Sequence, residues 1–571
     1  MSVTEPDDAG LPATQHAIQY LGVDEFAHNP AKPVDPVGPT QLLLAVEACG
    51  ICFSDTKLLH AFENHPRKLP VVAGLTPEEL AGIPSYHPGA EPTVPGHEPV
   101  ARVVATGERV RHYAVGDRVL VQADWRHLPT AASSGAFGYN FEGALQEYVV
   151  VDERMVVTAD DEFMLRVSEA PSAAAVALVE PWATVEAAYT RQERNTLKAG
   201  GSLLVVAGDG VVPAGLEALR AASAPAKVAV VGTDVPGGLA ASLDELEPGF
   251  DDIVYYGADE ETIERLGALL GNESLLCVVL GGRRLGRPVK LDVGRVHYDF
   301  VRFIGTTGDD PAEAYASIPA TGEIRPGDRI AVIGAAGPMG LMHTMRAAVL
   351  GLDGVSIVAS DLNDDRLQHL ADVVGPAAER HGVRLDLVNS VSTPLQPGFT
   401  YLTCLVPVAP VLAQTVDLAG PGAIVNAFAG FPAGTLAELD LQRIIENHVF
   451  LIGTSGSQMA DLRGVLAKLE SGVLDTSISL DAVCGMAGFA DAIRAVVERT
   501  SGGKIMVYPR LHDLGLVRLA DLPLMLPEVA ALMDGGRWTA AAERELLATA
   551  AYARVRPRPG GAGPHSCGVR P

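Results

Sequence analysis

Three short stretches of the chain hold side chains that bind metals. Cys52 lies in Gly50-Ile51-Cys52-Phe53-Ser54-Asp55, His97 and Glu98 lie in Gly96-His97-Glu98, and Glu180 opens Glu180-Pro181-Trp182. A thiolate, an imidazole and a carboxylate far apart in sequence make a zinc set when a fold brings them together. Zinc takes S, N and O ligands tetrahedrally, and a catalytic site uses three protein ligands and leaves one position open. Cys52, His97 and Glu180 supply such a set, with Glu98 as a second candidate carboxylate. Asp55 is a candidate acceptor for a His97 ring N–H, which fixes the tautomer, and Ser54 is a candidate to carry a proton away from the metal. The metal lowers the pKa of a bound water or alcohol towards neutrality, which an alcohol needs before it gives up hydride. A lone Cys is most often only a small buried apolar residue, so the reading rests on the combination.

A second set of residues is suited to a dinucleotide. Gly334, Gly337 and Gly340, with Pro338 and Met339 between them, stand between the apolar run Arg329 to Ile333 and a helical pattern from Leu341 to Leu350. The next strand pattern, Val355 to Ala359, is followed by Ser360-Asp361, roughly twenty residues beyond the glycines, where an acid accepts hydrogen bonds from a ribose 2′-hydroxyl. An acid there repels a 2′-phosphate, so NAD is expected over NADP; Arg366 works against that preference. An earlier copy of the pattern has a longer turn, Gly208 to Gly215, and Asp234 follows Gly232-Thr233 instead of ending the strand. Its altered spacing disfavours a tight pyrophosphate turn and predicts a degenerate, structural copy. Metal plus dinucleotide points to hydride transfer at an alcohol carbon.

The elements that must position these residues fall into several domains, because 571 residues exceed one hydrophobic core. Apolar content of 48% with 20% charged residues reads as globular. A net charge of −27 argues against nucleic acid and anionic membrane surfaces as partners. Six unevenly spaced cysteines are too few for a disulfide scaffold of this length, and Cys49 is expected as a buried strand residue. The first ten residues carry acids where a signal peptide carries Lys or Arg and an apolar run, and no uninterrupted apolar stretch spans a bilayer; a cytoplasmic protein is expected. His65-Pro66-Arg67-Lys68 and Trp125-Arg126-His127 are basic islands that fit either an anionic substrate group or a solvated loop.

Short β-branched runs with Gly/Pro punctuation predict a mostly β domain to about residue 165, then a helix interrupted at Pro181. From Gly200 the pattern becomes strand, glycine-rich turn, helix, strand, and it recurs. Lys290-Leu291-Asp292 with Phe303-Ile304-Gly305-Thr306 parallels Glu438-Leu439-Asp440 with Leu451-Ile452-Gly453-Thr454. The fold class expected is α/β: a β domain over 1–190, a first doubly wound unit over 191–322, a second, nucleotide-binding one over 323–508 with a returning strand, and a helical or disordered tail over 509–571.

At these residues the sequence resembles the zinc-dependent, alcohol dehydrogenase-like medium-chain dehydrogenase/reductase superfamily. The resemblance is carried by Gly50 to Asp55, Pro95-Gly96-His97-Glu98, Val115-Gly116-Asp117-Arg118-Val119, Glu180-Pro181, Gly337-Pro338-Met339-Gly340 and Gly503-Lys504-Ile505-Met506-Val507. Its Glu-Pro motif is similar to the sorbitol and threonine dehydrogenase branch. The resemblance implies a GroES-like domain joined to a Rossmann domain, Cys52, His97 and Glu180 as zinc ligands, Glu98 as a near or exchanging ligand, Ser54 in a proton relay, and assembly into dimers or tetramers. Three departures stand out. Gln122 to Glu147 holds no Cys, so the family's structural zinc lobe is missing and one zinc is expected. Lys57 stands where liver-type members have a relay histidine. The extra Rossmann copy is outside the family pattern, and the intact second turn is expected to serve the metal. The expected function is zinc- and NAD-dependent oxidation of a polyol, sugar alcohol or sugar phosphate. The alternatives are a lyase or epimerase with transient oxidation, or a nucleotide-sensing protein with structural zinc.

Overall fold

The computed structural model describes residues 10–208, 211–432 and 434–555. The chain divides into two units, Met1–Val179 with Leu466–Pro571, and Glu180–Val465.

The first unit is organised on the strand Gln41–Ile51, whose eleven residues are almost all buried. That continuous apolar run is what a strand covered on both faces requires. One edge carries Glu98–Thr106. The other carries Tyr148–Asp152 along its first half and Lys504–Val507 at its end, all antiparallel. Arg118–Val121 and Met164–Arg166 extend the sheet on one side, Leu480–Cys484 and Val517–Arg518 on the other. The helix Phe489–Val497 makes the crossover between the parallel strands Leu480–Cys484 and Lys504–Val507. Cys49 lies buried within the long strand.

The unit boundaries differ from the sequence pattern, which placed the second α/β unit up to residue 508 and a separate tail after it. Residues 466–508 return to the β sheet, and the chain beyond them packs there too. Val517–Arg518 pairs with Leu480–Cys484, and Trp538 is buried. Glu543, on the helix Ala540–Val555, accepts hydrogen bonds from the Ala173 and Ala174 N–H groups at 2.5 and 2.9 Å and from the Tyr508 hydroxyl at 2.7 Å. A carboxylate at the start of the helix Ala173–Ala177 satisfies donors that the helix itself leaves open. The disorder expected for the Pro/Gly/Arg-rich end, and Cys567, lie outside the described residues.

The second unit opens with the helix Val179–Thr190 and contains two six-stranded parallel sheets. In one, Ser202–Ala207, Lys227–Val231, Leu239–Ala240, Phe250–Tyr256, Leu270–Val279 and Arg302–Thr306 lie in the order 3-2-1-4-5-6. In the other, Arg329–Ile333, Ser356–Asp361, Arg384–Asn389, Phe399–Cys404, Ala419–Ala427 and Phe450–Ile452 repeat that order, the doubly wound arrangement of a dinucleotide fold. A small antiparallel ladder, Val289–Asp292 with Leu436–Leu439, joins the two halves.

A buried polar group fastens the opening helix to the helix Pro338–Val349. Arg346 bonds Glu186 at 3.0 Å and Glu323 at 2.8 Å and stacks 3.8 Å above the Tyr189 ring. The Tyr189 hydroxyl lies 2.6 Å from His343 Nδ1. Burial, with the Arg346 charge second, pushes His343 down to about 3, so its ring is neutral.

Candidate functional site

Three of the four metal candidates converge within the first unit. One ligand atom from each of Cys52, His97 and Glu98 lies within 4.8 Å of the others. The local sequence explains why. Cys52 ends the extended segment and caps the helix Phe53–Ala61, and its N–H donates to Asp55 Oδ2 at 2.8 Å. The other oxygen of Asp55 stands 3.1 Å from His97 Nδ1. One buried carboxylate therefore fixes both the turn that presents the thiol and the ring that faces it. His97 Nε2, left on the open side, is 3.0 Å from Ser54 Oγ. Ring assignment follows from these partners: Asp55 accepts, so Nδ1 donates.

Glu98 begins the strand beside Gly50, its register partner. A Cβ on residue 50 would collide with the Glu98 carboxylate, so only glycine leaves the acid its place. Glu98 is fully buried, and its Oε1 is 2.5 Å from the Lys504 ammonium, itself 4% exposed. Its Oε2 is buried without a hydrogen-bond partner. A buried carboxylate oxygen left open beside a thiol and an imidazole nitrogen fits a cation of zinc's preference, since buried polar atoms are otherwise paired. Lys504 is a neighbour of the metal candidates that sequence reasoning missed. It sits in a motif read only as a closing strand, and its pairing partner is some four hundred residues away, with no local signal.

Tyr139 was missed as well. Its ring lies 5.5 Å from that of His97 and 5.1 Å from that of His65. Burial lowers the affinity of His97 for its proton, but Tyr139, Asp55 and the hydrogen bonds that the ring makes with Asp55 and Cys52 together outweigh it and raise its pKa. Burial, then the charges of Arg67, Lys57 and His97, pushes His65 down to about 4; its surroundings are positive. The basic islands separate in the structure. Lys68 is fully buried and donates to the carbonyls of His87 and Glu91, a structural use. Arg67 pairs with Asp124 at 2.5 Å and lies over Tyr139. Arg126 is exposed.

Glu180 lies in the second unit, in the first turn of the helix Val179–Thr190, and Trp182 beside it is buried. The nucleotide candidates also lie there. Pro338 occupies the first turn of the helix Pro338–Val349, where its missing N–H costs nothing, and Gly337 caps it. Gly340 packs on the Ala335 backbone, leaving no room for a side chain. Asp361 ends its strand and accepts from the Ala336 N–H at 3.0 Å, while Arg366 donates to the Ala336 carbonyl at 2.8 Å through Nη2. Acid and base therefore hold the glycine-rich turn from both sides.

The family model for the alcohol dehydrogenase GroES-like domain matches residues 38–161. (R,R)-butanediol dehydrogenase of Bacillus subtilis is 34% identical over 205 residues, covering 33% of this chain and 49% of that protein, so the match spans about half of that relative's length. Mannitol-1-phosphate 5-dehydrogenase of Aliivibrio fischeri is 24% identical over 349 residues, covering 52% of this chain and 76% of that protein. Among solved structures, the crystal structure of AibC shares the fold at 13% identity and a TM-score of 0.50, covering 89% of this chain and 99% of that one.

Proposed function

We propose, from the premise that this chain belongs to the medium-chain dehydrogenase/reductase superfamily, that it oxidises secondary alcohols with zinc and NAD. The substrate class is a polyol, a sugar alcohol or its phosphate. The observation that carries the reading is the open Glu98 Oε2 beside Cys52 and His97. Relatives acting on a vicinal diol and on a polyol phosphate support the substrate class, as do the positive surroundings of His65.

Zinc would supply Lewis acidity towards the substrate hydroxyl, and the nicotinamide would accept the carbon-bound hydrogen as hydride. Cys52 and His97 would hold the metal, and Glu98 and Glu180 are the two carboxylates offered to complete the set. Asp55 is a positioning residue that turns His97 Nε2 towards the ligand position. Lys504 offsets the charge of Glu98 while leaving one oxygen open. Ser54 Oγ, 3.0 Å from His97 Nε2, takes the hydroxyl proton and passes it to water on the exposed side of its helix, where Lys57 lies one turn on. Asp361, at the end of its strand, favours a ribose with a free 2′-hydroxyl and so NAD.

The test is metal analysis together with NADH formation from a panel of polyols and polyol phosphates. Wild-type protein should hold about one zinc per chain and form NADH, and Cys52→Ala should lose both. Comparing Glu98→Gln with Glu180→Gln identifies the carboxylate ligand, because only its loss lowers zinc occupancy. If zinc and NAD bind but no alcohol of the panel yields NADH, dehydrogenation of this class is wrong.

A further inference from the structure

We propose that the two α/β halves of the second unit form a pseudo-two-fold pair inside one chain, so that the first half permanently occupies the edge through which two second halves would pair. The duplicated segments themselves supply the argument. Lys290, Leu291 and Asp292 correspond in sequence to Glu438, Leu439 and Asp440. In the ladder between the halves Lys290 pairs with Glu438, its own counterpart, while Val289 pairs with Leu439 and Leu291 with Ala437. Exchanging the halves maps Val289–Leu439 onto Leu291–Ala437 and Lys290–Glu438 onto itself. That is the signature of an isologous interface, the same patch meeting itself, here made within one molecule.

A second, separate contact repeats the symmetry. A Cβ on Gly305, in the last strand of the first half, would meet Ile445 of the second. A Cβ on Gly453, the counterpart of Gly305, would meet His297, the counterpart of Ile445. Both glycines let the partner half approach the strand closely. Val289, Leu291, Ala437 and Leu439 are at most 1% exposed, so the pairing closes an apolar edge that would otherwise invite another chain. The one position that faces its own counterpart has diverged to opposite charges, with Lys290 Nζ 4.0 Å from Glu438 Oε1. Pairing between identical halves of two chains would set lysine against lysine or glutamate against glutamate, which is unfavourable directly across a ladder.

Because residues 290 and 438 lie on the pseudo-axis and are exposed, cysteines there report on the pairing without disturbing the fold. Under mild oxidation, Lys290→Cys/Glu438→Cys should form a disulfide within one chain, running as a single chain on a non-reducing gel with both new thiols lost to titration. Lys290→Cys alone and Glu438→Cys alone should stay reduced. A chain-to-chain disulfide in either single variant would mean that like halves pair between molecules. One in the double variant would mean that halves are exchanged between chains. Either result, or no cross-link in the double variant, overturns the proposal.

Discussion

The two halves of the second unit share a sheet order, 3-2-1-4-5-6, yet differ where a dinucleotide would rest. In the second half Gly337 opens the helix Pro338–Val349, and Asp361 and Arg366 hold the turn through Ala336. In the first half the corresponding turn carries Val211 and Val212 ahead of Pro213. Gly215 there stands at the start of the helix Leu216–Ser223, and the Asp310 carboxylate occupies the place a Cβ on it would take. A carboxylate beside a helix start disfavours an anionic pyrophosphate there. The sheet survives such changes because it is held by buried apolar strands. The ligand site depends on a few residues at one turn and does not. This is the physical content of a copy that keeps its fold and serves as a partner.

The sharpest way to break the comparison is to give the second half the turn of the first. Gly337→Val should remove two or more charge-assisted N–H contacts to the pyrophosphate, a loss of roughly 100- to 1,000-fold in NAD affinity by calorimetry. Asp310→Asn should leave stoichiometry at about one NAD per chain, since the first half still carries the longer turn with Val212 where the second has Gly337. A second site appearing in Asp310→Asn would show that the acid alone separates the halves.

The next effect concerns acid. His343 in the second half has its counterpart in Ala218, so the second half buries a neutral histidine at a position where the first has alanine. Its pKa is lowered from 6.5 to about 3 in the folded state. Protonation therefore favours the unfolded chain: the contribution is complete above pH 6.5 and is lost as the pH falls towards 3. The loss should be on the order of 2–3 kcal/mol, read from denaturant midpoints between pH 7 and 4. His343→Leu should flatten that profile. An unchanged slope would place the acid sensitivity elsewhere.

The smallest effect is at the pseudo-axis. Lys290→Glu should cost only a few tenths of a kcal/mol, about 0.3, because the pair is exposed and screened, and Lys290→Glu/Glu438→Lys should restore it. Thermal midpoints of the two variants give the measurement.

Much of this was legible in the chain itself. Cys52, His97, Glu98 and Glu180 were readable as candidate ligands from their residue types and the short motifs that hold them. The tandem α/β pattern was readable because strand and helix periods are set by near neighbours. Gly337 and Asp361 were readable because a turn and the strand beside it lie within a few tens of residues. Lys504 opposite Glu98, Tyr139 beside His97, and the packing of residues 509–555 against the β sheet were not. Each depends on which apolar faces bury one another, and that is decided by packing over hundreds of residues. The sequence by itself determined the candidate ligands, the duplicated units and the intact nucleotide turn. Only the tertiary structure decided that Glu98 is held by a buried lysine and that the two halves meet about a pseudo-axis, because burial and register join segments that no local pattern relates.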